Sequence, residues 1–377
     1  MLMRTFPRTG IPVSSVGLGA EHLTGAGRQT TIDVVHAAID HGMNYMDLFM
    51  PDAGVRDWIG EALRGRRDKM LVAGHLGSVL AGQQPDRTRD VARSEEHYND
   101  LLRRLNSDYV DLAMFFFVDT MEDADACLDP KGLLGLAERL KREGKARMLG
   151  FSCHVPAVAS RLVATGLFDA MMFSLNPAFD LMPSDFSIDD LFSDKVGEVA
   201  SRPAAMNPER LALYRQCEEQ KTGIVVMKGY GAGALLKVPG MTPERCLHYA
   251  LTRPGVVTVA AGCRTVAEVE AAARYADATD EERDYTAVVK TSQWNADGLC
   301  MYCNHCLPCP STIDVAAVTR LLHRWEDGDH SAAAEYAKLT ANGGDCIACG
   351  DCASRCPFGV DSVGNMARAH LLMAGAR

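Results

Sequence analysis

Val110-Asp-Leu-Ala-Met-Phe-Phe-Phe-Val118 and Ala146-Arg-Met-Leu-Gly-Phe-Ser-Cys153 are short, almost continuous apolar runs separated by a stretch of helical period. A strand that alternates apolar and polar residues faces water on one side, whereas one apolar on both faces is covered on both, as in a parallel sheet flanked by helices. The same unit recurs along the chain. Val13–Leu18, Met43–Leu48, Met70–Leu76, Ala170–Asn176, Gly223–Tyr230 and Val256–Ala261 complete eight strand candidates, each followed by a segment able to form a helix. Eight such units predict an α/β fold, a closed (β/α)8 TIM barrel, with an open doubly wound sheet as the runner-up. Thr265 and Glu268 read as a capping box before the last barrel helix, and Gly65, Gly144 and Gly166 fall where helices should end. One long insertion, from Pro177 to about Ala205, follows the sixth strand on the face where barrels keep their sites, and it reads as a lid. Asp280 to Trp294 is charged and helical in period, which predicts a barrel domain over 1–294 and a small module over 295–377.

Composition excludes several classes of function. With 49 acidic against 39 basic side chains in 377 residues, the net charge of −10 repels a polyphosphate and argues against nucleic acid as a partner. The longest apolar stretches, such as Gly255 to Gly262, fall short of the roughly 20 residues that span a bilayer, so no membrane is expected. The opening MLMRTFPRTG has no apolar core and no small-residue cleavage site, which points to a cytoplasmic protein.

Of thirteen cysteines, eight lie beyond residue 299. They form two runs, Cys300-Met-Tyr-Cys303-Asn-His-Cys306-Leu-Pro-Cys309-Pro310 and Cys346-Ile-Ala-Cys349-Gly-Asp-Cys352-Ala-Ser-Arg-Cys356-Pro357. Three closely spaced thiolates wrap one cubane, and in two-cluster ferredoxins the cysteine before proline is handed to the other cluster. The spacing therefore predicts two [4Fe-4S] clusters in a small α-helical ferredoxin-like domain, one on Cys300, Cys303, Cys306 and Cys356, the other on Cys346, Cys349, Cys352 and Cys309. A pair of four-cysteine zinc sites would leave the third cysteine of each run idle. His305, between two ligands, reads as a neighbour rather than a ligand. Cys127, Cys153, Cys217, Cys246 and Cys263 are scattered among apolar residues and read as small buried side chains.

The opening stretch from Arg4 to Gly19 resembles the hairpin and first strand of the aldo/keto reductase family. Further matches follow in order: Met43-Asn-Tyr-Met-Asp47, Trp58-Ile-Gly-Glu-Ala-Leu63, Asp108-Tyr-Val-Asp-Leu112, Met148-Leu-Gly-Phe-Ser-Cys-His154, Val226-Met-Lys-Gly229 and Gly262-Cys-Arg-Thr-Val266. With the cysteine tail, the whole chain resembles that family's iron–sulfur branch. The resemblance implies a carbonyl reduction with NADP(H), run by a tetrad of Asp, Tyr, Lys and His. Asp47 matches the Asp. The tetrad is otherwise degenerate: Asp52-Ala53 stands where Tyr and Gly are expected, His75 takes the place of the Lys, and Phe116 that of the His. Cys153, Ser174 and the pair Ala271-Ala272 replace cofactor-holding residues, so weak NADP(H) binding at most is expected, while Arg264 could still meet a phosphate.

At the barrel mouth the resemblance gathers Glu21, His22, Asp47, Asp52, His75, His154, Asn176, Lys228 and Tyr230. Asp47, His75, Asp52 and His154 are the catalytic candidates, and Lys228 and Arg264 the cofactor-binding ones. The leading expectation is an iron–sulfur oxidoreductase that passes electrons from its clusters to a small-molecule substrate or a redox centre at the mouth, with protons delivered by His75 and Asp47 and electrons drawn from a redox partner protein. A second reading keeps NAD(P)H as hydride donor, with Asp52 or His75 as the acid. A third is a non-catalytic electron carrier with a degenerate barrel.

Overall fold

The computed structural model describes residues 1–81, 84–181, 207–291, 298, 300, 302, 306–356 and 358–375. They form two compact units, Met1–Phe179 with Gln216–Arg283, and Asp180–Arg215 with Asp284–Arg377. Most of the insertion read as a lid, 182–206, lies outside the described residues.

The first unit is a closed ring of eight parallel strands, β1 (Val16–Gly19), β2 (Tyr45–Leu48), β3 (Leu71–Leu76), β4 (Val110–Phe115), β5 (Ala146–Cys153), β6 (Ala170–Ser174), β7 (Gly223–Met227) and β8 (Val256–Gly262), each paired with its neighbours in sequence. The expected (β/α)8 barrel is thus the observed one. Closure makes each strand present alternate residues inward. Tyr45, Ala73, Leu112, Met114, Met148, Ala170, Met172, Val225 and Val257 pack with Phe6 and Val13 into an interior core. Phe6 and Val13 come from an antiparallel hairpin, Met3–Thr5 with Pro12–Ser14, at the N-terminal ends of the strands. Here the sequence reading needs correction, because Val13 pairs with Arg4 in that hairpin and the first barrel strand starts only at Val16.

A second correction concerns β3, which is not followed directly by a helix. Gly77, at φ 81°, turns the chain into a hairpin, Ser78–Ala81 with Gln84–Arg87, before the helix Val91–Leu105. A Cβ at Gly77 would stand 2.6 Å from the Thr88 carbonyl, so the turn needs glycine. Elsewhere the expected helix ends hold, with Gly65, Gly144 and Gly166 all in the left-handed region. The Thr265 hydroxyl caps the N–H of Glu268, but the Glu268 carboxylate takes the N–H of Arg264, one residue before the box it was expected to close.

Two buried carboxylates tie the strand beginnings together. Asp111 on β4 accepts from the Val72 N–H of β3 and from Arg67 and Arg147, and Asp169 before β6 accepts from the Leu149 N–H of β5. Outside the ring, Arg56 of the helix Ala53–Ala62 is buried and donates to the carbonyls of Met50 and His97 and to Asp100. Burial lowers its pKa to about 10 against the raising effect of Asp100.

In the second unit, the helices Val315–Glu326 and Ser362–Met373 enclose Ile313, Val318, Leu322, Ala332, Tyr336, Met366 and Ala369. Asp314 and Asp361 cap their first turns. From Asp284 onward all described elements are helical. Among the described residues, no helix is long and apolar enough to cross a membrane.

The helices Ala53–Ala62 and Val91–Leu105 approach so closely at Gly60 that a Cβ there would lie 2.2 Å from the Arg104 carbonyl oxygen and 2.9 Å from the Leu105 Cα. Since both are backbone atoms, relief requires the helices to part. Gly60→Ala is therefore expected to lower stability by about 1–3 kcal/mol, measured by urea denaturation. An unchanged midpoint would show that the contact is looser than described.

Candidate active site at the mouth of the barrel

Asp47 and His75 stand on neighbouring strands, where the register sets Asp47 beside Ala73. Inward alternation then brings the two side chains together at the C-terminal end, and His75 Nε2 lies 2.8 Å from Asp47 Oδ1. The pair is buried, with the imidazole 1% and the carboxylate 8% exposed. Nδ1 of His75 is buried and has no hydrogen-bond partner among the described residues. Phe49 and Phe116 cover the ring, each edge-on with centroids 6.0 and 5.6 Å away, and are stacked on each other at 5.5 Å. A buried polar atom without a partner is costly, so this nitrogen marks a place built for something other than stability. Two residues earlier on the same strand, the Tyr45 hydroxyl is also buried without a partner among the described residues, and its pKa is pushed well up by burial and then by the charge of Asp47.

The other candidates fall into different roles. Asp52 is the N-cap of the helix Ala53–Ala62, its Oδ1 accepting from the Val55 N–H at 2.8 Å, so its carboxylate is engaged in holding a helix end. Lys228, just past β7, has a left-handed backbone at φ 56°, and its carbonyl accepts from the Asn176 amide at 2.9 Å. Asn176 spends its side-chain carbonyl on the Phe179 N–H, and Ser174 is fully buried. Arg264 is exposed at the start of the helix Val266–Ala273. Glu21 is exposed, and the ring of His22 lies against Gly262, where a Cβ would meet it at 2.7 Å. Tyr230 has a buried hydroxyl without a partner among the described residues, its pKa raised chiefly by burial.

His154, at the end of β5, has a partner that sequence reading missed. Asp119 Oδ2 lies 2.9 Å from His154 Nδ1, while Oδ1 accepts the His154 backbone N–H at 2.7 Å. The available signal was position, since Asp119 directly follows the fourth apolar run, where barrel sites lie. Burial works to raise the Asp119 pKa, but the hydrogen bond and charge of His154, its backbone N–H and the Cys153 thiol together outweigh it and hold the carboxyl below its ordinary range.

The five scattered cysteines are all buried, and burial pushes Cys127 up to about 11 and Cys246 and Cys263 to about 12. In the second unit, Cys303, His305 and Pro357 lie outside the described residues. Cys306, Cys309 and Cys346 pack against the same core as the buried Cys352. The Cys352 thiol is pushed up by burial first and then by the neighbouring Cys346 and Cys349 thiols. Arg355 reaches from the second cysteine run to the first, donating to the carbonyls of Cys306 at 3.0 Å and Pro308 at 2.6 Å. Among the described residues, no three His, Cys, Asp or Glu side chains are already gathered as a metal site.

Residues 15–179 match the model of the Aldo/keto reductase family. A curated relative, the aldo-keto reductase YhdN of Bacillus subtilis, is 27% identical over 154 residues, 38% of this chain and 44% of the relative's length. The chain thus matches less than half of that relative. Among solved structures, the holo form of the aldo-keto reductase AKR11C1 from Bacillus halodurans aligns with a TM-score of 0.60 at 21% identity, covering 78% of this chain and 96% of that one. An aldo-keto reductase from Klebsiella pneumoniae in complex with NADPH aligns at 0.52 and 17%, covering 78% and 96%. The likeness to these structures is one of fold, the barrel.

A carboxyl whose pKa is depressed in the folded state contributes stability above its unfolded pKa of about 3.9 and loses it as pH falls through the folded value. Asp119→Asn should therefore cost stability in full near pH 6 and progressively less below about pH 4. Denaturation curves of both proteins at several pH values measure this, and an equal difference at pH 3 and pH 6 would contradict the pairing.

Proposed function

We propose that the chain is an oxidoreductase acting on a small organic substrate at the barrel mouth, with His75, held by Asp47, as the proton-handling group and NAD(P)H as the source of hydride. The observation that carries this reading is the buried 2.8 Å contact between Asp47 and His75, with the second imidazole nitrogen left unpartnered. Asp47 orients the ring through Nε2 and leaves Nδ1 as the atom through which a proton can be exchanged with a bound group. Phe49 and Phe116 keep water from it, and a displacement of these rings is what admits a substrate oxygen.

The family match over residues 15–179 and the NADPH-bound relative from Klebsiella pneumoniae support a nicotinamide, against the weak binding expected from the replaced residues. Arg264 and the adjoining helix start have the chemistry to hold its phosphate. At the other end the side chains fit less well, because the amide and carbonyl of Asn176 are already engaged and Ser174 is buried. When bound, the nicotinamide supplies a hydride. The chain supplies orientation, exclusion of water and the proton.

A second reading, in which two [4Fe-4S] clusters feed single electrons to the substrate, is favoured by the cysteine spacing and by the hydrogen bonds that Arg355, next to Cys356, donates to the Cys306 and Pro308 carbonyls of the first run. The ligand sets would be Cys300, Cys303, Cys306 and Cys356, and Cys346, Cys349, Cys352 and Cys309. When present, the clusters supply one electron each. Both sources can serve one enzyme, with the clusters as an outlet or inlet for electrons exchanged with a redox partner protein.

Calorimetric titration with NADPH should give saturable binding, and His75→Gln should lower NADPH-dependent carbonyl reduction by about 10²-fold without weakening that binding. Absence of binding hands electron supply to the clusters, and unchanged turnover removes His75 from the chemistry. Protein purified without oxygen should hold about eight irons and eight acid-labile sulfides per chain. Stoichiometric zinc without sulfide would overturn the cluster assignment.

A further inference from the structure

The two cysteine runs repeat one backbone device. In each, the residue two places after the first cysteine is left-handed, Tyr302 at φ 51° after Cys300 and Ala348 at φ 54° after Cys346. In the second run Gly350 follows at φ 83°, with φ negative at Cys349 between them. Such alternation turns successive N–H groups to one side and forms a concavity for an anion, as in many iron–sulfur sites. Among the described residues, none of the N–H groups from Ile347 to Gly350 donates to a backbone carbonyl. Thiols set around open N–H groups suit a cluster whose thiolate ligands make it an anion.

At the matching position the surroundings diverge. Ala348 is exposed, between Ile347 at 68% exposure and the exposed Cys349, and the exposed carboxylates of Asp345 and Asp351 flank the loop. Tyr302 is 2% exposed and is held from two directions. Its hydroxyl lies 3.2 Å from Arg215 Nη2 and 2.8 Å from His323 Nδ1. A guanidinium only donates, so the hydroxyl accepts from Arg215 and gives its own hydrogen to His323. Arg215 is 6% exposed and also holds Asp327, while Arg320 stands over the Tyr302 ring at 5.4 Å. All of these residues belong to the second unit. The first run therefore has two guanidinium groups gathered on a tyrosine that separates two of its cysteines in sequence, where the second run has two carboxylates and water.

We propose that the two clusters are unequal by construction: the cluster of the second run is the outer one and harder to reduce, the cluster of the first run is the inner one and easier to reduce, and electrons arriving from outside pass from the second to the first. This direction of flow, which rests on the reading of both runs as cluster ligands, follows from charge. Reduction adds one negative charge to a cluster, which nearby cations favour and nearby carboxylates oppose. Arg215 acts from a buried position, where a charge is felt more strongly than in water, and Asp327, 45% exposed, offsets it only in part. Asp345 and Asp351 stand in solvent and act more weakly, but in the direction that widens the difference. In the step itself, a reduced outer cluster gives one electron to an oxidised inner one, and a one-electron donor protein, for which dithionite stands in, reduces the outer cluster again. Tyr302 is a positioning residue, since it fixes where the two guanidinium groups stand.

Reductive titration of the full chain, purified without oxygen and followed by electron paramagnetic resonance, should show two separate one-electron waves. At any one potential the reduced-to-oxidised ratios of the two clusters should differ at least tenfold, which is about 59 mV for a one-electron couple. Arg320→Gln should move the upper wave alone to lower potential, and Arg320→Lys, which keeps the charge, should restore it. Asp351→Asn should move the lower wave alone upward. Tyr302→Phe, which keeps the ring and releases Arg215, should lower the upper wave with iron content unchanged, and it gives the same reading if Arg320→Gln does not fold. A single wave, or a shift of the lower wave by Arg320→Gln or Tyr302→Phe, overturns the proposed order. Eight irons and eight sulfides with a single wave leave the cluster reading standing and remove only the inequality, whereas protein without sulfide removes the cluster reading itself.

Discussion

A ring of eight parallel strands can close only if every strand shares its hydrogen bonds with two neighbours and turns alternate residues inward, and the placement of every candidate residue in the barrel follows from that closure. Tyr45 and Asp47 share one face of β2, Ala73 and His75 one face of β3, and Leu112, Met114 and Phe116 continue the series from β4. The lower members fill a packed core with Phe6 and Val13 from the N-terminal hairpin. The upper members, Asp47, His75 and Phe116, stand at the opposite, C-terminal ends of the strands, away from that core, where polar groups that would be intolerable one layer down are accommodated. A shift of one residue in any of these strands would turn its polar end residue out toward the helices.

The same constraint separates structural from chemical carboxylates. Asp111 and Asp169, at strand beginnings, are buried and saturated by backbone N–H groups and arginines. Asp52 is saturated too, by the helix start it caps. Asp47 and Asp119 lie at or just beyond strand ends and each faces an imidazole. Burial alone disfavours an ionised carboxyl, and a hydrogen-bonded imidazole is a partner that offsets this cost while still exchanging a proton. Two such pairs stand at one mouth, linked by the rings of Phe116 and Phe117, the first sealed and the second partly open to solvent.

The hairpin Ser78–Arg87 shows how an excursion off the barrel shapes that wall. It carries Arg87, and Arg89 follows directly, so the two guanidinium groups reach the carbonyls of Phe116 and Phe117 from the neighbouring strand's loop. Asp123 fixes both and belongs to the first turn of the helix that follows Phe117. Loss of the hairpin would free the phenylalanine backbone to relax from its left-handed conformation.

The sequence by itself determined the number and order of the strands, the helix ends at Gly65, Gly144 and Gly166, and the grouping of cysteines into two runs, because apolar periodicity, left-handed glycines and thiol spacing are local properties of the chain. It also indicated Asp47 and His75 as residues at strand ends. What it could not carry was partnership. Val13 reads as the start of a barrel strand until its pairing with Arg4 assigns it to a hairpin, and the segment after Leu76 reads as leading into a helix until Gly77 turns it into a hairpin. Asp52 offers a carboxylate to any reading, and only the Val55 N–H shows that it caps a helix. Asp119 and His154 are 35 residues apart in the chain and meet because β4 and β5 are neighbours in the ring. Which nitrogen of each histidine is engaged, and that Phe117 is held exposed between them, are decided by contacts between distant segments. Such contacts leave no periodic trace in a sequence, because they depend on register and closure rather than on the identity of adjacent residues.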